Sequence, residues 1–184
     1  MKGSGNHRIF TLTFAIAISV LYAIVRWNSL YGVEPILFPD SLGYIDQFKG
    51  VIPQSPFALA RSWGYPSFLW LMGHDNSDVI SVQKVLGIVS WLFLAWSVFS
   101  LSKNYLERFL SFISMLFVSL HFGLIQWDAC VLTESLTLSL LAITVSLSIW
   151  IRLLGAQGHL LIVPLVVALL VLVGLRDANA FILP

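Results

Sequence analysis

Five apolar runs decide what this chain can fold into. The first, 9–26, runs from Ile9 to Val25 without a charge and stops at Arg26. The others are 79–101, 109–127, 133–151 and 160–175. Each is near the length, roughly 20 residues, at which a helix crosses a hydrocarbon core. A soluble domain carries roughly 25% charged residues; here the share is 10%, with 58% apolar residues and a mean hydropathy of +0.90. No soluble fold of 184 residues has an interior large enough for that much apolar surface. The expected class is all-α, a polytopic transmembrane helical bundle, with 1–184 as a single membrane domain.

The first run also resembles a signal peptide, but Arg26-Trp27-Asn28 follows it rather than a small-x-small cleavage site, so it reads as an uncleaved span. Residues 27–78 form one long polar loop. Pro35, Pro39, Pro53, Pro56 and Pro66 cut it into short pieces. A short helix is expected over Ser41 to Phe48 with Asp40 as its cap, and the aromatic stretch from Trp63 to Met72 suits the headgroup zone. Lys2, Arg8, Lys103, Arg108 and Arg152 fall on one side of the alternating spans against Glu107 alone. Short-loop Lys and Arg set orientation, which predicts a cytoplasmic N-terminus and an external C-terminus in a multi-pass inner or plasma membrane protein. The long loop, the turn before 133–151 and the end of 160–175 then share the external face. Asp40, Arg61, Asp128, Glu134 and Arg176 are thereby brought to one side. Cys130 stands alone, which excludes an internal disulfide and suits a small packing residue. No basic cluster or aromatic stripe points to nucleic acid.

Each candidate has a structural and a chemical reading. Asp40 suits first a helix cap, and beyond that a general base toward an acceptor hydroxyl or a ligand of a divalent metal. Arg61, among Trp63, Tyr65 and Phe68, is either an interfacial anchor or a bidentate phosphate clamp. Glu134 sits in the first turn of its span, favoured there by the helix dipole, yet an acid at membrane depth is costly and marks function. Asp128 reads as a solvated turn residue. Arg176-Asp177 reads as an interfacial pair or as a second phosphate contact.

The order of these short motifs carries a resemblance. Asp40-x-x-x-Tyr44 stands in the external loop, Arg61-x-x-Gly64-Tyr65-Pro66 follows, and Leu132-Thr133-Glu134-Ser135-Leu136 opens a later span. The chain resembles the multi-spanning glycosyltransferases of the GT-C superfamily that use polyprenyl-phosphate sugars. These include protein O-mannosyltransferases and lipid A aminoarabinose transferases of the bacterial cell envelope. The resemblance implies a lipid-phosphate sugar donor and a lipid, protein or glycan acceptor. It implies catalysis by Asp40, supported by Glu134 at the acceptor or at a metal. Arg61, Tyr44, Tyr65 and Arg176 would bind substrate. Ser41 stands where members often carry a second acid. Members also have more spans than the five here, so the chain is expected to be an N-terminal portion that inserts but is inactive alone. The opposing reading is a non-catalytic membrane subunit or small transporter. A transporter calls for broken helices or mid-membrane charges, and the runs after the first show no interruption at their centres except Gly87.

Overall fold

The structure, a computed structural model, describes residues 4–49, 62–73 and 75–176. Eight α-helices follow in order: α1 (Ser4–Asn28), α2 (Pro39–Lys49), α3 (Gly64–Leu71), α4 (Asn76–Leu101), α5 (Tyr105–Ser119), α6 (Phe122–Ile125), α7 (Thr133–Leu154) and α8 (Ile162–Leu175). A 3₁₀ turn at Gln126–Ala129 extends α6, and another at Gly155–Leu161 joins α7 to α8. The described residues contain no strand, only one isolated parallel bridge between Ile36 and Cys130. The all-α class holds.

Among the described residues, three helical stretches are long and apolar enough to cross a membrane: Thr11–Asn28, Asn76–Leu101 and Thr133–Leu175. The bent pair α5 with α6 makes a fourth if counted as one. Within the first window only 17% of residues are buried inside the molecule. Apolar helices this exposed would be costly in water, at roughly 25 cal/mol per Å² of apolar surface, and are at ease in lipid.

Two runs read as separate spans, 133–151 and 160–175, belong to one helical stretch that folds back on itself. Gly155, at φ +55°, ends α7 in the left-handed region that favours glycine. A Cβ on Gly158 would stand 2.5 Å from the carbonyl oxygen of Ile151. In a continuous helix, residues seven apart lie about 10 Å apart along the axis. The chain therefore reverses here, and α8 packs along α7.

The run 109–127 departs from expectation. Rather than one uninterrupted helix, α5 ends at Ser119 and the chain bends by 59° into α6 and its 3₁₀ extension. His121 makes the break stable: its Nδ1 accepts the Gly123 N–H at 3.1 Å and caps α6. The hydroxyls of the span interiors are satisfied locally. Thr144 donates to the Leu140 carbonyl at 2.8 Å and Ser146 to Ala142 at 2.7 Å, so both pack as small residues.

The two larger of three apolar clusters among the described residues divide the bundle along α4. One gathers Tyr65, Leu69, Val79, Ile80, Val131, Leu136 and Leu175 around the start of α4. The other gathers Ala15, Tyr22, Ala95, Phe99, Phe112 and Leu116 around its end. Val79 and Phe99 are 20 positions apart on one helix, about 30 Å at 1.5 Å per residue.

Candidate functional site

The start of α2 is fixed by its neighbours. Pro39 takes the first helical position, which its ring pre-sets. The N–H of Phe38, just outside the helix, donates to Ser41 Oγ at 3.0 Å. Ser41 is fully buried and closes the end in the manner of a capping box. Asp40 is therefore not the cap expected of it. It is an exposed acid in the first turn, and the helix begins two residues earlier than expected.

Tyr44 lies one turn along α2 from Asp40, on the same face. Its ring meets Tyr65 edge-on, with centroids 5.2 Å apart. Tyr65 is fully buried, and its hydroxyl donates to Gln83 Oε1 at 3.2 Å. Gln83 Nε2 donates in turn to the Cys130 carbonyl at 2.9 Å. One side-chain amide thus ties α3 to α4 and to the turn that leads into α7. Two glycines seat α3 on α8. A Cβ on Gly64 would come within 2.6 Å of the Gly174 backbone, and one on Gly174 within 2.5 Å of the Trp63 ring.

Glu134, in the first turn of α7, accepts from Arg176 Nη1 at 3.3 Å and from the Thr133 hydroxyl at 3.3 Å. The Arg176 side chain is 55% exposed and that of Glu134 29%. Burial, then the charge of Glu134, holds the Tyr65 phenol well above its ordinary range. The same two causes, with Asp128 third, push the Cys130 thiol up, which suits a buried, unreactive cysteine.

Tyr44, Tyr65, Glu134 and Arg176 are thus gathered at one end of the bundle, with Asp40 a turn from Tyr44. Arg61 and Asp177, expected as phosphate contacts, lie outside the described residues. No three His, Cys, Asp or Glu side chains among the described residues are grouped to hold a metal ion.

Asp128 is the clearest correction. It is 2% exposed rather than a solvated turn residue. Arg26 Nη2 donates to its Oδ2 at 2.8 Å, and the Ser135 hydroxyl donates to Oδ1 at 2.6 Å. Arg26 Nη1 also donates to the Tyr22 hydroxyl at 3.0 Å and to the Ser119 carbonyl at 2.9 Å. The pair thereby locks α1, the α5–α6 break and the start of α7 together. Gly87 makes the space: a Cβ there would stand 2.8 Å from Arg26 Nη2 and 2.9 Å from Asp128 Oδ2. Asp128 is thus committed to Arg26 and not to the acids and bases of the candidate site. The signal in the sequence was a lone arginine closing one span and a lone acid closing another on the same side, with a lone glycine inside a third.

The chain after α1 is also pinned. Lys84 Nζ donates to the Leu30 carbonyl at 2.9 Å, and the Ile36 N–H to the Ala129 carbonyl at 2.8 Å. These bonds lead the backbone past the α6 turn and into α2. Comparison with family models, curated proteins and solved structures finds no match for the chain.

Proposed function

We propose that the chain is a membrane protein of the glycosyltransferase kind, moving a sugar from a polyprenyl-phosphate donor to an acceptor at the external face. In this reading the apolar helices cross the membrane with the N-terminus cytoplasmic, and α2 and α3 lie over the external end. One observation carries it. Segments spread from Tyr44 to Arg176 in sequence bring two tyrosines, an acid and an arginine to a single end of the bundle.

The roles follow from the chemistry. Asp40, an exposed acid in the first turn of α2, takes the proton of the acceptor hydroxyl. Arg176, paired only at the surface, can exchange Glu134 for a phosphate oxygen, since guanidinium binds either oxyanion. Arg61 is assigned the same task. Glu134 is then released to orient the acceptor or to share a divalent cation. Tyr44, partly exposed and backed by the buried Tyr65 ring, forms the wall on which the sugar rests.

A small transporter is the second reading, favoured by the 59° break between α5 and α6 and by the buried charges beside it. One experiment weighs the two. Protein in lipid nanodiscs is titrated with a polyprenyl-phosphate sugar and with the same lipid lacking phosphate. Phosphate-dependent binding that Arg176→Gln weakens supports transfer. Binding of neither lipid, with solute flux in proteoliposomes, supports the transporter.

A further inference from the structure

A second site stands about 30 Å from the first, where α1 lies along α5. We propose that this seam holds one anionic phospholipid of the bilayer, its phosphate on Arg108 and one acyl chain along the α1–α5 groove.

The groove is a row of cavities. One of 320 Å³ is lined by Thr11, Leu12, Phe99, Tyr105 and Arg108. Its neighbour, of 420 Å³, shares Thr11 and Tyr105 and adds Phe14 and Phe109. Further along, a cavity of 190 Å³ lies between Ile18, Leu21 and Val25 of α1 and Ile113, Leu116 and Phe117 of α5. From Arg108 to Leu120 the groove follows twelve helical positions, about 18 Å. That slightly exceeds one leaflet's share, about 15 Å, of a 30 Å hydrocarbon core. Its walls are apolar between the ends: the hydroxyls of Thr11 and Tyr105 and the Arg108 cation stand at one end, and Tyr22, its hydroxyl already bonded to Arg26 and Ser119, borders the other.

Arg108 is built rather than loose. Its Nε donates to the Ser102 carbonyl at 2.6 Å, and its guanidinium lies 5.7 Å from the centre of the Phe99 ring. These contacts fix the plane of the fork. Among the described residues its two terminal nitrogens have no hydrogen-bond partner, and Arg108 borders the cavity. A fixed guanidinium with two donors at the mouth of an apolar groove fits a phosphodiester above an acyl chain. An arginine that merely reached toward water would not need its Nε bonded to its own turn.

The test uses the whole chain in detergent micelles doped with phosphatidylglycerol or phosphatidylcholine, with bound lipid counted by native mass spectrometry. The wild-type protein should retain phosphatidylglycerol with roughly fivefold preference, the weight of one basic side chain at an anionic lipid. Arg108→Gln should erase the preference, and Lys103→Gln, at the same end, should leave it intact. Ile113→Trp keeps the cation but fills the groove, and should lower retention of both lipids. Equal retention of the two lipids by the wild-type protein would overturn the proposal. So would an equal loss in Lys103→Gln, which would mark diffuse surface charge. If Arg108→Gln fails to fold, the Ile113→Trp result decides: unchanged retention there sinks the groove.

Discussion

Arg26 and Asp128, 102 residues apart in sequence, form an ion pair 2.8 Å long with both side chains 3% exposed. Taking both charges out of water costs several kcal/mol each, and the pair persists because nearly every polar atom has a second partner. Tyr22, Ser119 and Ser135 supply those partners, while Arg26 Nε stays buried and unpaired. Asp128→Asn should therefore destabilise the protein by about 3–5 kcal/mol, the usual result of leaving one buried charge alone. The double variant Arg26→Met/Asp128→Leu should recover most of that loss, since an apolar pair of similar volume carries no desolvation cost. Helicity during titration with denaturing detergent gives both values. An Asp128→Asn protein as stable as the wild type would remove the lock.

Gly87 gives a coupled prediction. Alanine is favoured over glycine inside a helix by about 1 kcal/mol. At this position its methyl group would intrude on both members of the pair. Gly87→Ala should lower stability in the wild-type background and should do so much less in the Arg26→Met/Asp128→Leu background. The same detergent titration reads the difference, and additive effects would mean that Gly87 does not serve the pair.

Tyr65 predicts an alkaline effect. Its phenol is held above the ordinary value of 10.0 by burial and by Glu134, so the folded chain keeps the proton that the unfolded chain releases. Its contribution is therefore fully present below about pH 10 and declines as pH rises above that value. Stability measured between about pH 9 and 11 should fall more steeply for the wild type than for Tyr65→Phe. Parallel curves would contradict this. At neutral pH, Tyr65→Phe should cost about 1–3 kcal/mol, because it strips the partner from buried Gln83.

The surface pair should behave in the opposite way. Glu134 and Arg176 are partly exposed, and pairs of that kind contribute about 0–1 kcal/mol. Arg176→Gln should leave stability within that margin while weakening binding of a polyprenyl-phosphate lipid. A large loss of stability would make Arg176 a structural residue instead.

The apolar runs made the helices legible because lipid-crossing length and the absence of charge are local properties. The start of α4 and of α7 fell within three residues of expectation for that reason. What stayed hidden was tertiary. Asp128 looked like any acid in a turn until Arg26 and Gly87 were beside it. Asp40 looked like a cap, but Ser41 could reach the Phe38 N–H only once Pro39 had begun the helix. The break at Ser119 had no proline to announce it, only Gly123 just beyond; it rests on the His121 cap of the Gly123 N–H and on the Arg26 bond to the Ser119 carbonyl. In the sequence, the gathering of Tyr44, Tyr65, Glu134 and Arg176 was legible only as an expected shared side of the spans. The glycine-to-glycine seat of α3 on α8 gives it a position.

The most direct test asks where the donor sits. A polyprenyl-phosphate sugar with a photoreactive group beside the phosphate is added to the chain in nanodiscs, illuminated, and the labelled peptides are mapped. The account predicts labelling within 39–49, 62–73 and around Arg176, competed away by unlabelled donor. Labelling confined to the α1–α5 groove, or not competed by donor, would contradict it.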